Sequence, residues 1–216
     1  MAGMTYPVPE NETERLRALR SYRILDTKPE ERFDDLTQLA ALICGVPISL
    51  ISLIDTDRQW FKSRFGLDVR ETPRAQAFCT HAIMQPEMFV VPDAAKDERF
   101  AQNPLVTGDM HIRFYAGAPL ATRDGHLLGT LCVIDREPHT LTDAQRQALQ
   151  ILGRMVIANI ELRSDLQELK AALAARDAAE GPSGESATGL DEIISRLSGV
   201  AADLKAVREG KAPSPR

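Results

Sequence analysis

At 216 residues with 44% hydrophobic content, the chain can bury one substantial core with helical appendages, whereas two independent globular domains would be cramped. A net charge of −5 supplies no basic stripe for a phosphate backbone, which argues against nucleic-acid binding. Three cysteines at wide spacings, Cys44, Cys79 and Cys132, make neither a disulfide framework nor a close zinc-binding pair.

Met1 to Glu14 is polar, carries two prolines and lacks the basic start and apolar core of a secretory signal, so a cytoplasmic location is expected, with residues 1–11 a flexible lead. Asn11 to Ser21 then reads as a short helix with Leu16 and Leu19 on its apolar side. Thr27 and Glu30 look like a capping pair opening a second helix, in which Phe33, Leu36, Leu39, Ala40 and Ile43 recur at helical spacing. Thr37 to Ile54 carries no charge, but Gly45-Val46-Pro47 divides it into a helix ending near Cys44 and a strand beginning near Ile48. A buried helix followed by a strand therefore replaces any membrane span.

Ile48 to Ile54 is apolar on both parities, as a central strand covered on two faces must be, and Asp55-Thr56-Asp57 turns it into a partner at Arg58 to Phe65. Gly66 to Phe89 is irregular, with a short helix around Phe78 to Met84, and Phe89-Val90-Val91 is a third strand. After a loop-and-helix stretch from Asp93 to Met110, a hairpin follows: a strand through Ala116 to Leu120, a Thr122-Arg123-Asp124-Gly125 turn, and an apolar arm to Asp135. Thr142 and Gln145 form a capping box before a long helix. Along it Ala148, Leu152, Met155, Asn159, Leu162, Leu166, Leu169 and Leu173 alternate steps of four and three, the seam of a parallel two-stranded coiled coil with Asn159 fixing register. Up to Asn159 the same residues would equally serve a helix packed on its own sheet. The extension is assigned to 164–180, a flexible Gly/Ser/Pro linker to 181–189, an amphipathic helix bearing Leu190, Ile194 and Leu197 to 190–208, and a disordered tail to 209–216.

Several side chains are chemically suggestive. Cys79 and His81 straddle Thr80, an arrangement open to a nucleophile, a metal pair or a chromophore anchor, or simply to a buried thiol beside a hydrogen-bonded imidazole at a pocket edge. Cys44 and Cys132 fall in apolar elements and read as small core residues. His111, His126 and His139 are scattered, with no metal-binding spacing. Asp93, Asp97 and Arg99 read as a salt-bridged loop clasp. Arg113 and Tyr115 share strand parity; facing a cavity they would suit an anionic ligand, and facing solvent they would not. Trp60, the lone tryptophan, lines a pocket or covers a sheet edge.

Taken in order, Tyr22-Arg23-Ile24-Leu25-Asp26-Thr27, Ile54-Asp55 with Arg58-Gln59-Trp60-Phe61-Lys62-Ser63, Phe78-Cys79-Thr80-His81-Ala82-Ile83, Asp97-Glu98-Arg99-Phe100 with Asn103-Pro104-Leu105-Val106, and Ile112-Arg113-Phe114-Tyr115-Ala116-Gly117 resemble the sensory GAF domains that precede bacterial histidine kinases and diguanylate cyclases. The resemblance covers 12–163. It implies an α+β fold: a central antiparallel sheet with helices on one face, an often ligand-holding cavity on the other, and a long C-terminal helix. The resemblance implies a sensory module, expected to be non-catalytic; the heptad spacing adds a homodimer paired along the long helix, signalling to a separate partner, and the residues themselves offer Trp60, Cys79, His81, Arg113 and Tyr115 as ligand-binding candidates. The ligand is unknown. Bilin-binding relatives carry a Cys-His pair that this chain lacks, and the Asn-Lys-Phe-Asp-Glu set of cyclic-nucleotide binders cannot be assembled. Two alternatives stay open: a small redox enzyme using Cys79, in the manner of free methionine sulfoxide reductases, and a structural dimerisation module without a ligand.

Overall fold

The computed structural model describes residues 6–180, so the expectations for 181–189, 190–208 and 209–216 lie outside the described residues. The elements are α1 (Glu12–Ser21), α2 (Glu31–Cys44), β1 (Ile48–Ile54), β2 (Arg58–Phe65), β3 (Glu71–Pro73), α3 (Phe78–Ala82), β4 (Phe89–Val91), α4 (Pro104–Thr107), β5 (Phe114–Ala121), β6 (Leu127–Asp135) and α5 (Asp143–Glu180), with a single 3-10 turn at Arg74–Gln76. Six strands form one antiparallel sheet in the order β3-β2-β1-β6-β5-β4. This is the expected α+β architecture. Residues up to Leu166 form one compact unit, and α5 continues past it.

All seven residues of β1 are buried, because helices cover one face of the sheet and irregular segments the other. On the helical face Phe33 and Ala40 of α2 and Leu149, Val156 and Ile160 of α5 pack over Ile51, Leu53, Trp60, Ala116 and Val133. On the opposite face α3, α4 and the loops lay Phe78, Cys79, Phe100, Val106 and Ile112 over Leu50, Phe61, Tyr115, Cys132 and Ile134. The central pair β1/β6 sits so close that a Cβ on Gly129 would lie 1.9 Å from the Ser52 carbonyl oxygen.

Two local expectations are corrected. Thr27 and Glu30 do not cap α2: Thr27 Oγ1 donates to the Ile24 carbonyl (2.7 Å), and Glu30 occupies the N-cap position without a side-chain cap. The Glu30 carboxylate is engaged by the buried Lys62 (2.7 Å), by Arg163 (3.2 Å) and by Arg32, since charged donors outcompete a neutral amide for it. Strand β3, a three-residue edge against β2, lies in a segment read as irregular. The capping box at Thr142 is present: its N–H donates to Gln145 Oε1 (2.9 Å) and the Gln145 N–H to Thr142 Oγ1 (3.3 Å).

Along α5 the heptad positions divide. Leu152 is buried in the domain's own core, whereas Met155, Leu162, Leu166 and Leu169 are 44–56% exposed, and Asn159 and Leu173 are half-buried. Asn159 Nδ2 donates to the Met155 carbonyl (2.8 Å). Inward packing is carried instead by Leu149, Leu152, Val156 and Ile160, one turn-face away from the exposed stripe.

Candidate functional site: a cavity beneath α3

The sheet face opposite the long helices holds a cavity of about 130 Å³. Its floor is Leu50 of β1, Gln59 and Phe61 of β2, Tyr115 of β5 and Cys132 and Ile134 of β6, and its roof is Phe78 and Cys79 of α3 with Leu105 and Ile112. Val69, exposed, and the half-buried Leu67, Thr72 and Met110 stand at its mouth. The lining is almost wholly apolar and holds no charged side chain.

The turn before α3 sets the roof in place. Buried Arg74 donates through Nη1 to the Asp55 carbonyl (2.9 Å) and to Glu12 of α1 (2.6 Å), while its own carbonyl accepts from Thr80 Oγ1 (3.0 Å). Asn103 donates to the Gln76 carbonyl (3.0 Å), and Phe78 stacks on Phe100 at 4.0 Å between ring centroids and on Tyr115 at 5.3 Å. Tyr115 in turn lies across Gly117, where any Cβ would meet its hydroxyl at 2.3 Å; glycine is what lets this ring reach α3.

At the inner end of the cavity the polar atoms converge on Cys79. Its sulfur accepts from Tyr115 Oη (3.2 Å) and Thr130 Oγ1 (3.1 Å), these two hydroxyls lie 3.3 Å apart, and the Cys132 sulfur is 3.9 Å away. Burial opposes ionisation of Cys79, but the surrounding donors, Cys132, Thr130 and Tyr115 among them, outweigh it and bring the thiol below its ordinary value. Burial pushes Cys132 and Tyr115 well up, and neighbouring negative charge on Cys79 adds to both shifts. Elsewhere in the lining Gln59 donates through Nε2 to Thr72 Oγ1 (3.2 Å), while its Oε1 is buried and unpartnered.

Of the five candidate ligand-binding residues, Cys79 and Tyr115 meet in this cavity and three lie elsewhere. Trp60 faces the helical core on the other side of the sheet and borders a separate polar depression of about 580 Å³ beside Lys62 and Arg64. Arg113 precedes β5 and donates to the Val106 (2.9 Å) and Ile112 (3.0 Å) carbonyls, so its charge is spent on the α4 loop. His81 packs edge-on against Phe100 at 4.8 Å; burial and then Arg99 push its pKa down, with Asp97 opposing. The loop clasp resolves into two pairs, Asp97 with Arg99 and Asp93 with Lys96. Cys132, Thr130 and Gln59 were not among the candidates. The alternation of β6 carries the signal that places Thr130, Cys132 and Ile134 on one face, but only the register brings that face under Cys79.

Residues 28–160 match the GAF domain family. The chain belongs to it. A cyclic di-GMP phosphodiesterase of Pseudomonas aeruginosa is 45% identical over 162 residues, which are 74% of this chain and 28% of that protein, so this chain spans under a third of that relative's length. The GAF domain of an Acinetobacter phosphoenolpyruvate-protein phosphotransferase superposes with a TM-score of 0.52 at 20% identity, covering 71% of this chain and 95% of that one. The blue-light-absorbing form of the PixJ GAF domain of Thermosynechococcus elongatus gives 0.51 at 14% identity, covering 75% and 94%. At these identities the structural likenesses establish the GAF fold alone. Among the described residues of this GAF domain, no helix is long and apolar enough to cross a membrane.

Proposed function

We propose that this GAF domain is a cytoplasmic, non-catalytic sensory module that holds one small, neutral, mainly apolar molecule beneath α3. Its state passes to a separate signalling protein through a homodimer paired along α5. The observation that carries the reading is the uncharged cavity of about 130 Å³. That volume is close to apolar cavities that take up a single benzene-sized ring, and far below the several hundred Å³ of sites for larger ligands. A cyclic dinucleotide is disfavoured on size and because no cation faces the space. One hydrogen-bond donor on the ligand would meet Gln59 Oε1. The exposed Met155, Leu162 and Leu166 support helix pairing, and the similarity to a cyclic di-GMP phosphodiesterase supports second-messenger signalling as the setting.

Ligand must favour one of two helix arrangements for a signal to pass. Phenol, a single ring with one donor, is the probe: at a hundredfold excess over its Kd it stabilises by about 2.7 kcal/mol, raising Tm by roughly 5–10 °C. Cyclic di-GMP leaves Tm unchanged, and so does phenol on Leu105→Trp. A Tm raised by cyclic di-GMP and not by phenol would overturn the assignment. A second reading, a thiol-dependent reductase, draws on the pairing of Cys79 with Cys132; turnover of free methionine sulfoxide that vanishes in Cys79→Ala would favour it.

A further inference from the structure

The sequence offers Cys132 as an ordinary core residue, yet the fold sets its sulfur 3.9 Å from that of Cys79, and both border the cavity. No other cysteine is so placed: Cys44 ends α2 in the helical core on the other sheet face, and burial pushes its thiol up to about 11. We propose that Cys79 and Cys132 form an oxidant-sensitive dithiol, closing to a disulfide inside the cavity when a small hydroperoxide enters it. This is a stoichiometric modification of the chain and stands independently of the ligand assignment above.

The two sulfurs have different parts to play. Cys79 accepts hydrogen bonds from Tyr115 and Thr130, an arrangement that favours its thiolate, while Cys132, whose thiol donates to the Leu50 carbonyl (3.7 Å), is held neutral by burial and by the charge on Cys79. The Cys79 thiolate attacks one oxygen of the hydroperoxide; the O–O bond breaks, and water or an alcohol leaves after taking up a proton. The sulfenic acid thus formed is attacked by the Cys132 sulfur, the S–O bond breaks, and water leaves with the Cys132 proton. Two thiols lose two electrons and two protons, and the peroxide is reduced to two waters, or to one water and one alcohol.

A disulfide of about 2.0 Å requires the sulfurs to close by roughly 1.9 Å from their present 3.9 Å. Cys79 sits on a five-residue helix capped by loops, so the closing movement falls on α3 and not on the central strand β6. It withdraws the Cys79 sulfur from Tyr115 and Thr130 and draws the cavity roof onto its floor.

The test is peptide mapping of the full chain, reduced, desalted and exposed to hydrogen peroxide, then alkylated under denaturing conditions. The expected result is a loss of two thiols per chain, a Cys79–Cys132 cross-linked peptide reversed by dithiothreitol, and Cys44 still alkylated. Cys132→Ser stops at a Cys79 sulfenic acid that dimedone traps, and in Cys79→Ser the remaining thiols survive the same exposure. The wild-type map needs no variant, so a misfolded substitution leaves the test intact. Cys79 and Cys132 both staying reduced under peroxide that fully oxidises free cysteine, or a disulfide formed with Cys44 instead, would overturn the proposal. Val69→Trp, at the mouth, should slow thiol loss at least threefold; an unchanged rate would refute the cavity as the route.

Discussion

Glu12 is the residue through which α1 reaches the cavity roof, and Glu12→Gln tests that link quantitatively. Its carboxylate accepts from Arg15 Nε (2.7 Å) and Nη2 (2.8 Å) and from Arg74 Nη1 (2.6 Å), with Arg15 and Arg74 only 1% and 2% exposed. Burial alone would raise the Glu12 pKa; hydrogen bonds and charge from the two arginines outweigh it and lower it from 4.5 to about 2. A drop of that size, at about 1.4 kcal/mol per unit, corresponds to at most ~3.5 kcal/mol. Because the carboxylate edge reaches solvent, screening reduces this to about 2 kcal/mol. A depressed carboxylate pKa stabilises above the unfolded-state value and is lost as pH falls toward the folded one. The gap between wild type and Glu12→Gln is therefore full from pH 5 to 7.5, narrows below pH 4.5 and closes near pH 2. Urea unfolding followed by Trp60 fluorescence at pH 7, 5, 4 and 3 measures it, and a thermal melt at pH 7 should show a Tm loss of roughly 4–8 °C. A gap below about 0.5 kcal/mol at pH 7, or one that persists undiminished at pH 3, refutes the reasoning.

Other perturbations probe other joints. Gly129→Ala forces a Cβ to within 1.9 Å of the Ser52 carbonyl and should cost about 3 kcal/mol in urea unfolding; a loss under 0.5 kcal/mol would mean β1 and β6 separate easily. Lys62→Met removes a buried ammonium that donates to Thr27 Oγ1, the Lys28 carbonyl and Glu30, and should cost about 3 kcal/mol, the low end for a broken buried pair because Arg32 and Arg163 still serve Glu30. Leu162→Lys combined with Leu166→Lys should convert a dimer to a monomer in sedimentation velocity with Tm little changed, since both side chains are about half exposed within the protomer; a variant that stays dimeric would sink pairing along this stripe.

What could be read from the sequence follows the range of the interactions involved. Element identity in β1, β2, α2 and the β5/β6 hairpin is local: two-parity apolar runs, the Gly45 stop with its left-handed φ of 69°, and the Thr122 to Gly125 turn all act over a few residues. The same locality explains the errors. Thr27 and Glu30 look like a cap until Lys62, thirty-two residues beyond Glu30, claims the carboxylate. Strand β3 is three residues long and exists because β2 offers it an edge. Arg113 and Tyr115 share parity, but the strand begins at Phe114, so only Tyr115 obeys the alternation. The Cys79–Cys132 pairing spans fifty-three residues and depends on register, which composition cannot supply. In α5 the 3.5-residue seam and the inward 3.6-residue face overlap at Leu152, and only packing assigns that residue to the domain's own core.

The central claim is that the space beneath α3 is a binding site for a small neutral molecule. Native mass spectrometry of the full chain, in the wild type and in Leu105→Trp, each equilibrated with phenol, measures it most directly. The account predicts one phenol per chain on the wild type and none on the variant, with both proteins folded. Equal phenol occupancy of the two proteins, or a wild type that stays bare at millimolar phenol, would contradict it.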